Sequence, residues 1–379
     1  MFMVHATLFA SWTAHIPLVK SQLGLSNAAL GTALLGAPLG SVTAMVISRW
    51  LVPRWGSHSM VRLCVLGYAL AGIAVGQASS MLWLFVTLGV WGLFQGGLDI
   101  AMNTQGVTIE QAAGRPIMTR LHGMWSLGGF VGAMIGAGAV SIGIGLSTQL
   151  IAMGALALTV VGVLARHLIA DQDPMNAATT TDAPPARARR TLTGAVGVLG
   201  GVAFASMLCE GAAADWSANY LSAHLAAPVG VAGLGYAGYT LMMVVMRMSG
   251  PVLQSRTRSR TLLPVLAVAA AVGMTAALLT RSPIVGLLGF ASLGIGLALV
   301  VPTAFSAAGT ATAESRNAGP AIATVAAMGW IGYVTGPPLI GHLADAVGLT
   351  AALAVLPALL LAIAVVVRLT YAFASTPAR

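Results

Sequence analysis

Ala170–Leu192 reads ADQDPMNAATTTDAPPARARRTL and is the only long polar stretch in a chain of 379 residues. Pro, Thr, Ala and Arg dominate it, a composition that builds no core and suits a flexible tether. On either side the sequence changes character. Over the whole chain 58% of residues are hydrophobic and only 7% charged, against roughly a quarter charged in a soluble domain. A chain this poor in charge cannot wet its own surface, so the solvent it fits is lipid.

Working outward from the tether, the apolar runs have the length of membrane spans, about 20 residues at ~1.5 Å rise each. Before it they are 2–16, 28–48, 60–78, 81–110, 119–143 and 147–168; after it, 193–222, 229–249, 262–280, 284–308, 318–342 and 349–371. The expected fold is an all-α membrane protein: twelve transmembrane helices in two pseudo-symmetric six-helix bundles, 1–168 and 193–379, joined by a cytoplasmic linker at 169–192. Runs this long exceed the ~9–11 residues of a barrel strand and do not alternate. The first run reaches Pro17 after about 24 Å of helical rise, short of a hydrocarbon core of ~30 Å. Helix 1 is therefore expected to start upstream, or to be truncated or tilted. It lacks the basic leader of a signal peptide.

With an even number of spans both termini share one side. Taking that side as cytoplasmic places sixteen of the 18 Lys and Arg residues inside and only Lys20 and Arg281 outside. This bias predicts a multi-pass inner-membrane protein with cytoplasmic N- and C-termini. It also reads the net charge of +9 as contact with an anionic leaflet, not as nucleic-acid binding. Cys64 and Cys209 fall in different runs, so packing is the better reading than a disulfide or a thiolate metal site. Gly233–Gly238 matches GxGxxG by letter but follows no strand. HExxH, P-loop and GxSxG motifs are missing, and neither a cofactor, a metal nor enzymatic chemistry is expected.

The halves register on each other at a shift of 204 residues without a gap. Ala10-Ser-Trp-Thr-Ala-His15 falls on Ala214-Asp-Trp-Ser-Ala-Asn219, Arg54 on Arg258, and Glu110 on Glu314. Pro116 falls on Pro320, and Gly128 and Gly132 on Gly332 and Gly336. Ala, Gly and Leu matches are cheap in such a composition; the Trp, Glu, Pro and Arg matches are not. Six helices per half make this a parallel repeat, the kind in which a transported solute binds near mid-membrane at the repeat interface.

Three stretches carry a resemblance to a known family: GLDIAMNTQGVTIEQAAGRPIMTRLHGMWSLGGFVGA from Gly97, EGAAADWSANYL from Glu210, and GPPLIGHLADAVG from Gly336. They resemble the major facilitator superfamily in its MosC/YbjJ-like branch. More distantly, Asp99-Ile-Ala-Met-Asn103 followed by Arg120-Leu-His122 is similar to the fucose-permease pattern E-T-A-A-N followed by R-L-N. The resemblance implies a monomeric twelve-helix transporter and places the proton-coupling carboxylate of helix 4 on Asp99. The departures are specific. Helix 1 has no acid, only His5 and His15, and Pro53 stands where the helix 2–3 loop of the family has Asp. Helix 5 runs Gly128, Gly132, Gly136 without the antiporter-type Gly-Pro.

Of nine acids, Asp99, Glu210 and Asp215 lie inside predicted spans, where a charge costs several kcal/mol on contested scales. Asp99 and Glu210 fall near mid-depth, one in each half, and are the candidates for proton coupling. Asp215 lies nearer the outside, where a wetted gate residue is the alternative. Gln95, Asp99 and Asn103 are spaced i, i+4, i+8 and share a helix face, which is expected to look into a cavity.

Trp12 and Trp216 are repeat mates. With Asn219, Trp125 and Tyr239 they offer planes and amides suited to stacking and hydrogen-bonding a sugar or polyol. The alternative for the aromatics is belt or packing work. His122 either lines the cavity or bonds a neighbouring helix, and Arg247 is expected to snorkel to the cytoplasmic surface. Glu110 and Glu314 are expected to contact Arg54 and Arg258 in a cytoplasmic gate that closes when the carrier faces outward and parts when it faces inward.

The function expected is alternating-access symport of protons with a small polar solute, a sugar, polyol or inositol-like compound. The partners expected are that solute, protons and the bilayer. Proton-antiport efflux of metabolites or drugs is the second reading, with a non-transporting receptor or scaffold as the third.

Overall fold

The structure is a computed structural model that describes residues 1–114, 117–169, 194–311 and 318–373. Its long helices are α1 (Phe2–Gln22), α2 (Asn27–Trp55), α3 (Ser57–Gly76), α4 (Met81–Ala113), α5 (Met118–Ser141) and α6 (Leu146–His167). After the tether come α7 (Gly194–Ala223), α8 (Val229–Arg256), α9 (Ser259–Leu279), α10 (Pro283–Gly309), α11 (Ala318–Val347) and α12 (Leu349–Leu369). Among the described residues 11 helices are long and apolar enough to cross a membrane. The helix outside that group, α11, has 30 residues, and Trp330, Tyr333, Thr335 and the pair Pro337-Pro338 dilute its apolar character. The molecule is an all-α, multi-span membrane protein. It divides into two compact units, Met1–Asp182 with Pro228–Leu234, and Ala183–Ala227 with Gly235–Arg379.

Each unit packs its helices in the same order. In the first, α1 lies on α5, α2 on α4, and α3 on α4 and α6; in the second, α7 lies on α11, and α9 on α10 and α12. The α8–α10 approach, where Gly294 meets the Tyr239 carbonyl, is the counterpart of α2–α4.

Small residues make these approaches close. A Cβ on Gly128, Gly132 or Gly136 would collide with the main chain of Met3, Thr7 or Ser11 respectively, three successive turns of α1. The Thr7 hydroxyl donates to the Gly128 carbonyl at 3.1 Å across the same seam. In the second unit Gly332 meets the Phe204 carbonyl and Gly336 approaches that of Leu208. A comparable seam joins α2 to α4, where Gly40 meets Gly89 and Gly92 meets Ala37. Without water to expel, helices in lipid associate through such close van der Waals contact.

The structure corrects the expectation for helix 1. It does not stop at Pro17 but continues to Gln22 as a 21-residue span, about 31 Å of rise, enough to cross. The reason is a 3-10 turn at Thr13–His15 that places Pro17 at the second position of the next helical segment. A missing N–H costs little there. Gln149 of α6 supports the break: its amide donates to the Ser11 carbonyl at 2.9 Å and its oxygen meets His15 Nε2 at 2.9 Å.

Cys64 and Cys209 are buried free thiols. Among the described residues no group of three or more His, Cys, Asp or Glu side chains is placed to hold a metal ion.

Candidate functional site

In the first unit the candidate site is built on α4. Gln95, Asp99 and Asn103 are half-buried on one face of a helix that carries no Lys or Arg. Asn103 fixes the carboxylate: its Nδ2 donates to Asp99 Oδ1 at 3.2 Å and to the Asp99 carbonyl at 2.8 Å. Two residues further, Gln105 faces another way and holds the end of α6, donating to the Ile169 carbonyl at 2.7 Å and accepting from the Ile169 N–H at 3.2 Å. It also donates to Ser57 Oγ at 2.6 Å. Further along α4, Met102, Gln105 and Gly106 line a cavity of about 210 Å³ together with Phe2, Met3, Leu121 and Met124; Gln95, Asp99 and Asn103 are not among its lining residues. Its walls are mostly apolar, and thioether side chains adapt readily to irregular shapes.

Trp125 is half-buried on α5, and its indole N–H donates to His5 Nδ1 on α1 at 3.1 Å. His5 itself is 3% exposed. Around it gather Tyr68, at 5.9 Å between ring centroids, and Trp91, which lies 4.8 Å from Tyr68. His5 Nε2, the Tyr68 hydroxyl and Trp91 Nε1 are buried without hydrogen-bond partners. This buried polar–aromatic cluster escaped the sequence reading. The signal available was the i−4 spacing of Trp91 from Gln95, which extends the Gln95–Asp99–Asn103 stripe. His122 is exposed and lies edge-on to Phe2 at 5.4 Å.

In the second unit α7 carries both acids, Glu210 and Asp215, each half-buried. Here the reading of Arg247 is corrected. Instead of extending away along lipid, the half-buried side chain turns toward α10, where its Nε donates to the Ala298 carbonyl at 3.5 Å. It stands within electrostatic reach of Glu210. Tyr236 is close enough to feel Glu210, Asp215 and Arg247 together. Tyr239 stacks on Tyr236 at 5.7 Å and 14°, with its hydroxyl buried and unpartnered. α10 is broken at Ala298–Leu299, which exposes the carbonyl that Arg247 uses.

Trp12 and Trp216 are buried at 2% and 0% exposure, and Asn219 at 2%. Trp216 Nε1 and Asn219 Nδ2 have no hydrogen-bond partner. Each tryptophan thus fills interior space in its own unit, and in the second unit the Trp216 indole N–H and the Asn219 amide nitrogen stay unpaired.

Of the four residues expected to form a gate, Arg54 and Arg258 are exposed, and Glu314 lies outside the described residues. Glu110 Oε2 accepts the backbone N–H groups of Ile117 and Met118 at 2.7 and 2.9 Å. A carboxylate there meets the positive end of the α5 dipole, and among the described residues it makes no ion pair with Arg54. Its role in this structure is to cap α5. The expected result for Glu110→Ala is a lower thermal midpoint, the direction that follows when a helix cap is removed. Exchanging the charges of Arg54 and Glu110 restores nothing, because the partners are main-chain groups.

An uncharacterised MFS-type transporter of Yersinia pestis is 30% identical over 366 residues, covering 96% of this chain and 92% of its own. Membrane protein MosC of Rhizobium meliloti is 30% identical over 93% of this chain and 84% of its own. An uncharacterised transporter of Sinorhizobium fredii is 30% identical over 91% and 89%. Among solved structures, a variant of the nucleoside transporter NupG matches with a TM-score of 0.78 at 12% identity, covering 97% of each chain. An inward-facing bacterial homologue of the human lysosomal transporter Spinster matches at 0.67 and 16% identity, covering 98% of this chain and 93% of its own. At those identities the structural likeness speaks for the fold alone. No family model matches the chain.

Proposed function

This chain belongs to the major facilitator superfamily of membrane transporters, and from that premise we propose that it carries a neutral polar solute, of the sugar, polyol or inositol class, together with protons by alternating access. The observation that supports this most directly is the Gln95–Asp99–Asn103 stripe, a carboxylate oriented by an amide on an otherwise apolar helix. A buried acid is expensive in lipid. It becomes useful where it is neutral while enclosed and ionised when water reaches it. Glu210 and Asp215 supply the same ingredient in the second unit.

The charge balance supports a neutral or cationic solute over an anionic one. Asp99 shares its helix with no cation, and in the second unit Arg247 stands within electrostatic reach of one acid, Glu210. Amide groups on Gln95, Asn103 and Asn219 match hydroxyl groups, and the aromatic planes of Trp125 and Tyr239 match the C–H faces of a ring. On this reading His122 contributes near the inner end of α5, and Arg54, Arg258 and Glu314 act in the cytoplasmic gate.

Thermal unfolding of the purified protein against pentoses, hexoses, polyols, inositols and a set of cationic drugs tests the solute class. A ligand at a hundredfold over its Kd adds about 2.7 kcal/mol and raises the midpoint by several degrees. Stabilisation by members of the sugar and polyol set is the expected result. Stabilisation by the drugs alone replaces this reading with efflux, and a flat response across both sets removes it.

A further inference from the structure

We propose that Trp125 and His5 form an exchange site at which the Trp125 indole N–H leaves His5 Nδ1 for an oxygen of the bound solute, and Nδ1 then takes a transported proton. The proposal deepens the transport reading above and rests on it.

The geometry restricts what His5 can be. An indole N–H donates and never accepts, so a 3.1 Å Nε1–Nδ1 contact requires a lone pair on Nδ1. The ring is therefore neutral, with its one proton on Nε2. A protonated imidazole carries N–H on both nitrogens, and two N–H groups do not face each other at that distance. The proton can enter Nδ1 only when the indole has gone. The step is simple to balance: a proton from water forms the Nδ1–H bond, the ring gains one positive charge, and only the hydrogen bond to Trp125 is lost.

The indole in turn has reason to stay unless something replaces His5, because a desolvated N–H without an acceptor is costly. A hydroxyl, ring or carbonyl oxygen of a polar solute is the right replacement, and Trp125 is half-buried while His5 is enclosed. The exchange therefore makes solute and proton binding mutually favourable, and this coupling is reciprocal. That is the requirement for symport. The charged and titratable groups around His5 are the Met1 amino group on its own helix, His122 on α5 and Tyr68 on α3. On α4 the Gln95 main chain lies close by, and Asp99 follows one turn along that helix. α6 carries no titratable side chain within Leu146–Leu164.

The test is a pH titration of the full chain in lipid nanodiscs, with ¹⁵N label in histidine and tryptophan rings. His5→Gln and Trp125→Phe assign the two signals. The expected result is one shared transition, in which the Trp125 indole signal shifts as His5 gains its second ring proton. In His5→Gln the amide oxygen still accepts the indole N–H but takes no proton, so the pH response of the indole is lost. His5 protonation with an unmoved indole overturns the proposal, as does an equal indole response in His5→Gln. Thermal unfolding of both variants establishes that they fold. Protons are the only ligand here, so a solute panel without a hit defeats the transport reading while this titration still decides whether protonation of His5 displaces the indole.

Discussion

Asp99→Asn leaves solute exchange across the membrane intact and abolishes accumulation driven by a pH gradient. The substitution is nearly isosteric, and the Asn103 amide that holds Asp99 Oδ1 at 3.2 Å finds an amide oxygen in the same place. Folding and solute binding therefore survive. What is lost is the ability to gain and release a proton. With one proton carried per solute, a gradient of one pH unit corresponds to 1.36 kcal/mol and sustains an accumulation of roughly tenfold. In proteoliposomes loaded alkaline by about one unit, the parent protein concentrates a sugar or polyol from the stabilising set, whereas Asp99→Asn only equilibrates it. Accumulation by the variant at the parent level would falsify the assignment and move the coupling to His5, Glu210 or Asp215.

Gly132→Leu breaks the first unit. The new Cβ would sit on the Thr7 main chain, and main chain cannot rotate away as the end of a side chain does. Overpacking costs typically ~1–3 kcal/mol where side chains yield, so a backbone obstacle puts the loss at the top of that range. The expected drop in thermal midpoint is about 10 °C, at a few degrees per kcal/mol for a domain of this size. Gly138→Leu is the control. It lies on the same helix, is exposed, and a Cβ there meets nothing within 4 Å. Equal losses in the two variants would mean that helix propensity or lipid contact, and not the α1–α5 seam, sets the stability.

The long-range pattern was readable in the residues because lipid enforces it. Without water every main-chain group must be satisfied within its helix, so apolar run length translates directly into spans. The repeat followed from rare residues in register, Trp12 with Trp216 and Glu110 with Glu314. Asp99, Glu210 and Asp215 stood out for the same reason, as costly charges in cheap surroundings.

What escaped was set by contacts between helices. Pro17 read as a stop, yet Gln149 from α6 stabilises the 3-10 turn that lets α1 continue. Glu110 looked like one side of an ion pair because its partner in this structure, the first N–H groups of α5, has no side-chain signature. Arg247 looked bound for the surface because the broken turn of α10 that draws it inward lies 51 residues away. His5 was noticed only as a replacement for a missing acid, since nothing local indicates that Trp125 aims at its ring.

The three seam glycines of α5, Gly128, Gly132 and Gly136, bear on how the first unit comes together. A helix that meets its neighbour through glycine gives up no rotamers in doing so, whereas a leucine or methionine contact must first freeze several torsions. In the bilayer, where dispersion is the main reward for contact, that saving makes the α1–α5 pair cheap to assemble in entropy. His5 and Trp125 are consequently brought face to face by a scaffold that asks almost nothing of the side chains around them.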